Sequence, residues 1–284
     1  MMGLPHAFRA AVGRAGRLAL AVGLLAVAGP AAAETLKLRL GNEGVYPPFS
    51  MVDSGGNLTG VEPDLAREVC KRLQAECEFV VMDFKALIPS LVQGKFDVLI
   101  SQVVPTPERK QKMDFTRRIF YNPTVFVVPT DMDFQFDKEF LKGKGVKLGI
   151  QRGSSGIKYL EDRLGDSIEY VFYDNPEQSR LDLLAGRINA MFEAKINSTL
   201  NLLQKPEGKG YKHAGGEHWV GDPNVPEIER GLSWGLALNK PELKEKLNLV
   251  LTEIVADCTY TKIRKAYLPI TTLPEDVDCE AKTN

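Results

Sequence analysis

The chain has 284 residues, 44% hydrophobic and 26% charged, with 36 basic against 37 acidic side chains and a net charge of −1. That balance supplies no basic footprint for nucleic acid, and the apolar share excludes a disordered or fibrous chain. Three histidines and four cysteines without a Cys-x-x-Cys pair offer little for a zinc site or a Ser-His-Asp triad, so no metal, no cofactor and no catalytic residue are expected.

The opening segment reads as an export signal. Arg9, Arg14 and Arg17 form a basic start without an acid, Leu18 to Val27 is apolar, and Ala31-Ala32-Ala33 offers a small-residue cleavage site before Glu34. An apolar core of about ten residues is too short to span a bilayer, which needs roughly twenty. A cleaved signal over residues 1–33 would remove three arginines and shift the net charge from −1 to −4, leaving a chain exported beyond the cytoplasmic membrane. In that compartment Cys70, Cys77, Cys258 and Cys279 are expected to be oxidised. Three pairings are formally open, with free buried thiols as the alternative; the local pairs Cys70–Cys77 and Cys258–Cys279 are the expectation, the second tying down the C-terminal tail.

Beyond the signal, strand-like and helix-like segments alternate, as in α/β architecture. Leu36 to Leu40 alternates and breaks at Gly41. In 62–73, Leu65, Val69 and Leu73 recur every four residues and predict a helix face. Phe79 to Met82 predicts a strand, Leu87 to Val92 a helix stopped by Gly94, and Phe96 to Ile100 a buried strand. The stretch Leu91-Val-Gln-Gly-Lys-Phe-Asp-Val-Leu-Ile100 is then echoed by Leu183-Leu-Ala-Gly-Arg-Ile-Asn-Ala-Met-Phe192, with Gly94 and Gly186 suited to the left-handed residue that ends a helix. Leu36 to Gly41 is echoed by Val146 to Ile150. Two similar units imply a cleft between them. Ligands of open α/β sheets bind beyond the carboxyl ends of the strands, which directs attention to Asn42–Phe49, Ser101–Arg109, Gln151–Gly156 and the strand end at Phe192.

These loops carry a resemblance. Tyr46-Pro-Pro-Phe49, Gly60-Val-Glu-Pro-Asp-Leu65, Val69-Cys-Lys-Arg-Leu73 with Cys77, Ala86-Leu-Ile-Pro-Ser-Leu91, and Thr106-Pro-Glu-Arg109 followed by Asp114-Phe-Thr116 are its first carriers. Gly186-Arg-Ile-Asn-Ala190, Lys205-Pro-Glu-Gly-Lys-Gly-Tyr211 and Gly231-Leu-Ser-Trp-Gly-Leu236 follow. From Leu38 to about Tyr267 the chain resembles the periplasmic solute-binding proteins of polar amino acid ABC importers, family 3, in particular the lysine/arginine/ornithine and histidine binders. The resemblance implies a two-lobed α/β fold of the type II periplasmic binding class, each lobe a mixed, mainly parallel sheet flanked by helices. Residues 34–124 and 224–284 would form lobe 1 and residues 125–223 lobe 2, with hinge crossovers near Tyr121–Val127 and Asp222–Ile228. The implied partners are a small amino-acid-like ligand and ABC permease subunits, and a monomer is expected.

The resemblance also assigns roles. Arg109 matches the arginine that clamps a ligand carboxylate through two parallel bonds, with Ser154 and Ser155 as further donors at a helix start. Tyr46 and Phe84 match rings that sandwich the ligand side chain, and Glu43 and Glu62 stand where basic-amino-acid binders carry Asp for a distal ammonium. Ser101 and Gln102 are further candidate ligand contacts, with Gln102 standing where the family has a small hydroxyl residue. Two departures stand out: Ala194 replaces the usual Asp of the α-ammonium subsite, and Val104 replaces a common Ser. Glu193 is the available substitute, unless the ligand lacks a free α-ammonium. Two alternatives follow: an exported enzyme like the cyclohexadienyl dehydratases, with Glu193 as its acid or base, or a soluble sensor subunit.

Overall fold

The computed structural model describes residues 35–282. The signal expected over 1–33 therefore lies outside the described residues. Strands β1 Lys37–Asn42, β2 Val45–Tyr46, β3 Ser50–Val52, β4 Leu58–Thr59, β5 Glu76–Val81, β6 Val98–Val103 and β7 Asp114–Phe115 alternate with helices α1 Val61–Arg72, α2 Phe84–Val92 and α3 Pro107–Lys110. After β8 Thr124–Pro129 come α4 Lys138–Leu141, β9 Lys147–Gln151, α5 Gly156–Leu164, β10 Glu169–Tyr173, α6 Pro176–Leu184, β11 Ala190–Ala194, α7 Lys195–Ser198 and β12 Tyr211–His218. Strand β13 Ser233–Leu236 and helices α8 Pro241–Ala256, α9 Thr259–Lys265 and α10 Val277–Glu280 complete the chain.

Two five-stranded sheets result, ordered β5-β1-β6-β13-β7 and β10-β9-β11-β8-β12. In the first, β1 lies parallel to β5 and β6 while β13 runs antiparallel to β6 and β7. In the second, β9 lies parallel to β10 and β11 while β8 runs antiparallel to β11 and β12. Each sheet thus has one reversed strand, and each reversed strand is the one that the chain enters on crossing from the other sheet.

The internal echo is physical. Gly94 and Gly186 end α2 and α6 with φ of 70° and 68°, the left-handed conformation that a side chain would strain. Gly41 on β1 lies beneath Phe96, whose ring would stand 2.4 Å from an added Cβ; Gly149 on β9 lies beneath Ile188 at 2.6 Å. Phe96 and Ile188 are the matching residues of the two echoed segments, so the same close approach is built twice. The cores are likewise separate. One gathers Leu38, Leu40, Val61, Leu65, Val98, Ile100, Trp234 and Ile254, the other Phe126, Leu148, Ile150, Leu160, Ala190 and Phe192.

Local departures from the expectation have simple causes. Helix α2 begins at Phe84 rather than near Leu87, and β5 begins at Glu76 because it pairs along the whole of β1. The first crossover is shorter than 121–127: Thr124 already pairs with Ala194 and His218, and the buried run Val125–Val128 forms β8 between two antiparallel neighbours. The chain therefore passes between sheets at 121–123 and returns across 219–231. Both cystines are the local pairs, with Cα separations of 6.3 Å for Cys70–Cys77 and 5.4 Å for Cys258–Cys279. No helix among the described residues is long and apolar enough to cross a membrane.

Candidate functional site

The carboxyl ends of β1, β6, β9 and β11 converge on a cavity of about 110 Å³, room for one small molecule rather than a peptide. Glu43, Tyr46, Phe84, Ser101, Gln102, Arg109, Ser154, Ser155 and Glu193 all line it. Both sheets contribute, and groups from the two bond directly across the cleft. Gln151 Nε2 donates to Glu43 Oε2 at 2.8 Å, Arg109 Nη2 to the Gly153 carbonyl at 3.0 Å, and Lys85 Nζ pairs with Asp174 Oδ1 at 2.8 Å.

Arg109 sits in the short helix α3, started by Thr106, whose hydroxyl accepts from the Arg109 N–H at 3.3 Å, and by Pro107 in the first turn. Its guanidinium donates to the carbonyls of Val104 and Gly153, each at 3.0 Å, and lies 6.0 Å from the Phe84 ring. Burial lowers its pKa from 12.5 to about 10, with Glu108 opposing. Three arginines are buried among the described residues: Arg109, Arg180 and Arg264. Arg180 is held by Glu193 and Glu177, and Arg264 by Asp276 and Glu280. Among the described residues Arg109 has carbonyl partners but no carboxylate within ion-pair reach. A buried cation without an anion is costly, and a ligand carboxylate would relieve that cost.

Beside it, Ser154 Oγ is buried without a hydrogen-bond partner, and Ser155 begins α5 without a side-chain capping bond. The first turn of α5 reaches the cavity at Gly156. Free backbone N–H groups at a helix start favour an anion there.

The other polar wall is acidic. Asn42, at the end of β1, is fully buried; its amide donates to the Ile100 carbonyl and its oxygen accepts from the Gly44 N–H at 2.7 Å, which fixes the loop presenting Glu43. Burial pushes the Glu43 carboxyl up to about 7; bonds from Gln151 and from Ser101, the latter a long 3.5 Å, pull it down, while Glu193 raises it. Glu193 is also pushed up to about 7 by burial, against Arg180, which donates to its Oε1 at 2.9 Å. Burial raises the Tyr46 hydroxyl well above its ordinary value, and the charges of Glu193 and Glu43 add to the effect.

Glu62 departs from the expectation. It does not line the cavity; it is 1% exposed behind β6, where its Oε1 accepts the backbone N–H of Gln102 at 2.9 Å. Gln102 has φ of +43°, a left-handed backbone rare for a residue other than glycine, and its Nε2 is buried without a partner. The first helical turn carries Glu62 inward, and its carboxyl accepts from the backbone of Gln102. Gln151, Asn122, Thr124 and Ser179 line the cavity without having been singled out from the sequence. Gln151 closes β9 at the strand end already marked, whereas Ser179 carries no local signal and is brought there only by the packing of α6.

Two sheets meeting at one cavity, with Arg109 and Glu43 presented from the first and Glu193 from the second, define a two-lobed binding protein fold. The chain belongs to the bacterial extracellular solute-binding proteins, family 3, whose model matches residues 38–270. It is 35% identical over 234 residues to the histidine-binding periplasmic protein of Escherichia coli (strain K12), covering 81% of this chain and 86% of that one. It is 32% identical over 253 residues to the L-arginine-binding protein of Pseudomonas aeruginosa, covering 88% and 93%. Among solved structures, an ancestral arginine-binding protein bound to arginine superposes with a TM-score of 0.72 at 32% identity, covering 81% of this chain and 97% of that one. These relatives are binding proteins rather than enzymes, and the catalytic alternative raised for Glu193 finds no counterpart among them.

Proposed function

We propose that this chain is the periplasmic binding component of an ABC importer, capturing one small cationic amino acid by hinge closure and passing it unchanged to membrane permease subunits. The observation that carries this is the contrast among the buried arginines: Arg180 and Arg264 have carboxylate partners, and Arg109 faces the cavity with carbonyl partners alone. A ligand carboxylate fits that wall, together with Ser154, Ser155 and the start of α5. Glu43 and Glu193 on the other side favour a positive group, with the rings of Tyr46 and Phe84 available to its stem. The relatives named for histidine and arginine fit the same pair of charges. Lobe 1 would be residues 34–124 with 224–284 and lobe 2 residues 125–223, the crossovers at 121–123 and 219–231 acting as the hinge.

Titration calorimetry with L-arginine, L-lysine and L-histidine, against a dicarboxylate as control, tests the reading. Binding of at least one of the three is expected, and Arg109→Met should weaken it by about 100-fold or more, the loss of two charge-assisted bonds of about 1.5–3 kcal/mol each. Affinity unchanged in Arg109→Met, or preference for the dicarboxylate, would overturn it.

A further inference from the structure

The two acidic groups lining the cavity differ in a way that separates their roles. Glu43 has both oxygens occupied by neutral donors, Ser101 Oγ on Oε1 and Gln151 Nε2 on Oε2. Glu193 has one. Arg180 Nη1 takes its Oε1, and Oε2 is buried without a hydrogen-bond partner. Both carboxyls are almost wholly buried, at 5% and 6% exposure, so solvent does not make up the difference.

Arg180 is itself fixed from a second side. Its Nε and Nη2 donate to Glu177 Oε2 at 3.1 and 2.7 Å from within the same helix. Arg180 is 4% exposed, and its guanidinium cannot swing away without abandoning both acids. It therefore sets which Glu193 oxygen is engaged and which remains open. A half-satisfied carboxylate, rigidly aimed, is a poor structural element and a good receptor for a charged N–H donor.

We propose that Glu193 is the specificity-determining carboxylate of this cavity, its Oε2 receiving a cationic nitrogen of the ligand, and that Arg180 is its positioning residue. This rests on the reading of the cavity as an amino-acid site. The same chemistry can come from the ligand's α-ammonium or from its side-chain cation. Both are N⁺–H donors to one oxygen, and the test distinguishes them.

The charged and titratable groups facing Glu193 are Arg180 and Glu177 from α6, Glu43 from the loop after β1 and Tyr46 from β2. Arg180 is the only cation among them. Its removal should make Glu193 harder to ionise, and capture of a cationic ligand should then require a higher pH.

The experiment compares wild type and Glu193→Gln by calorimetry with three probes: L-arginine, Nα-acetyl-L-arginine and L-citrulline. Glu193→Gln should weaken L-arginine by about 10- to 150-fold, the equivalent of one charged hydrogen bond. With one of the two altered probes that penalty should shrink to within about threefold. If it vanishes with the acetylated probe, the partner is the α-ammonium; if with citrulline, it is the side-chain cation. Arg180→Gln, checked for folding by circular dichroism, should move the pH midpoint of L-arginine binding upward, which a merely structural loss would not do. The inference is overturned if Glu193→Gln binds L-arginine as wild type does, or if its penalty is equal for all three probes. Wild type binding in an Arg109-dependent manner while Glu193→Gln is silent would overturn this inference alone. Wild type binding none of the basic amino acids would overturn the functional reading with it.

Discussion

Replacing Glu43 by Gln removes a charge from the cavity while nearly keeping its shape, and the pH dependence of its effect can be worked out from the structure. The carboxyl is 5% exposed, and burial moves its pKa from an ordinary 4.5 to about 7. At 1.36 kcal/mol per pH unit, that displacement corresponds to about 3 kcal/mol against the ionised folded form. The folded pKa is raised above the unfolded one. The stability associated with the protonated carboxyl is therefore whole below about pH 4.5 and is lost as pH rises through about 7. Gln does not ionise and escapes that loss. Its amide, however, meets the Gln151 donor and the Ser101 hydroxyl with one acceptor fewer, at a cost of about 1 kcal/mol. Glu43→Gln should then be slightly less stable than wild type near pH 4.5 and about 2 kcal/mol more stable at pH 8, or roughly 4–8 °C in Tm for a chain of this size. Thermal unfolding of both proteins between pH 4.5 and 8.5, after refolding from denaturant to strip any ligand, measures the difference. Curves that stay parallel across that window would refute the argument, because a charge buried at this position must generate pH dependence.

Two further substitutions probe positions where the backbone serves the site. Gln102→Gly removes a left-handed non-glycine residue and a buried unpartnered amide; it should leave Tm equal or higher while weakening ligand binding by about tenfold, and a Tm drop with unchanged affinity would contradict this. Gly153 has φ of +79°, and an added Cβ would stand 3.0 Å from Lys85 Cα across the cleft. Gly153→Ala should cost about 1 kcal/mol of stability from its backbone strain and, separately, hinder closure. Ligand affinity should fall about tenfold and small-angle scattering with saturating ligand should show a larger radius of gyration than wild type; equal affinity and radius would count against the cross-cleft contact.

The fold was readable because its signals are local and repeated. The helix-glycine-strand step occurs twice, at Gly94 and Gly186, and each copy needs its glycine for the same conformational reason. The cystines were readable from compartment and spacing. Most of the cavity could be anticipated because it lies where strand ends lead into polar loops. What could not be read depends on which way a side chain turns once its backbone is placed. Glu62 and Glu43 look alike in the sequence, yet the first turn of α1 carries Glu62 behind β6 while the Asn42-braced loop carries Glu43 into the cavity. Arg180 is equally silent: a polar residue in an ordinary helix gains meaning only when β11 brings Glu193 beside it. The first crossover was drawn too long because an apolar run such as Val125–Val128 does not announce whether it is linker or strand; its pairing on both sides decides that.

Closure and recognition depend on overlapping atoms in this structure. Two of the bonds that join the two sides end on Glu43 and Arg109, which also present charge to the cavity, with Gln151 and Gly153 as their partners. Gln102 Nε2, Ser154 Oγ and Glu193 Oε2 are buried without protein partners, at about 1–3 kcal/mol each. The cross-cleft bonds from Gln151 and Arg109, each worth roughly 0.5–3 kcal/mol depending on charge, and the exposed pair of Lys85 with Asp174 leave those three atoms unsatisfied. A ligand with a carboxylate for Arg109 and Ser154 and a cation for Glu193 would supply partners for two of them. On the proposed reading, such a ligand would bind a closed arrangement better than an open one, and that difference in affinity would shift the population toward closure. On that reading, closed protein would report that a suitable molecule is inside, which is the information a membrane permease would need before it opens.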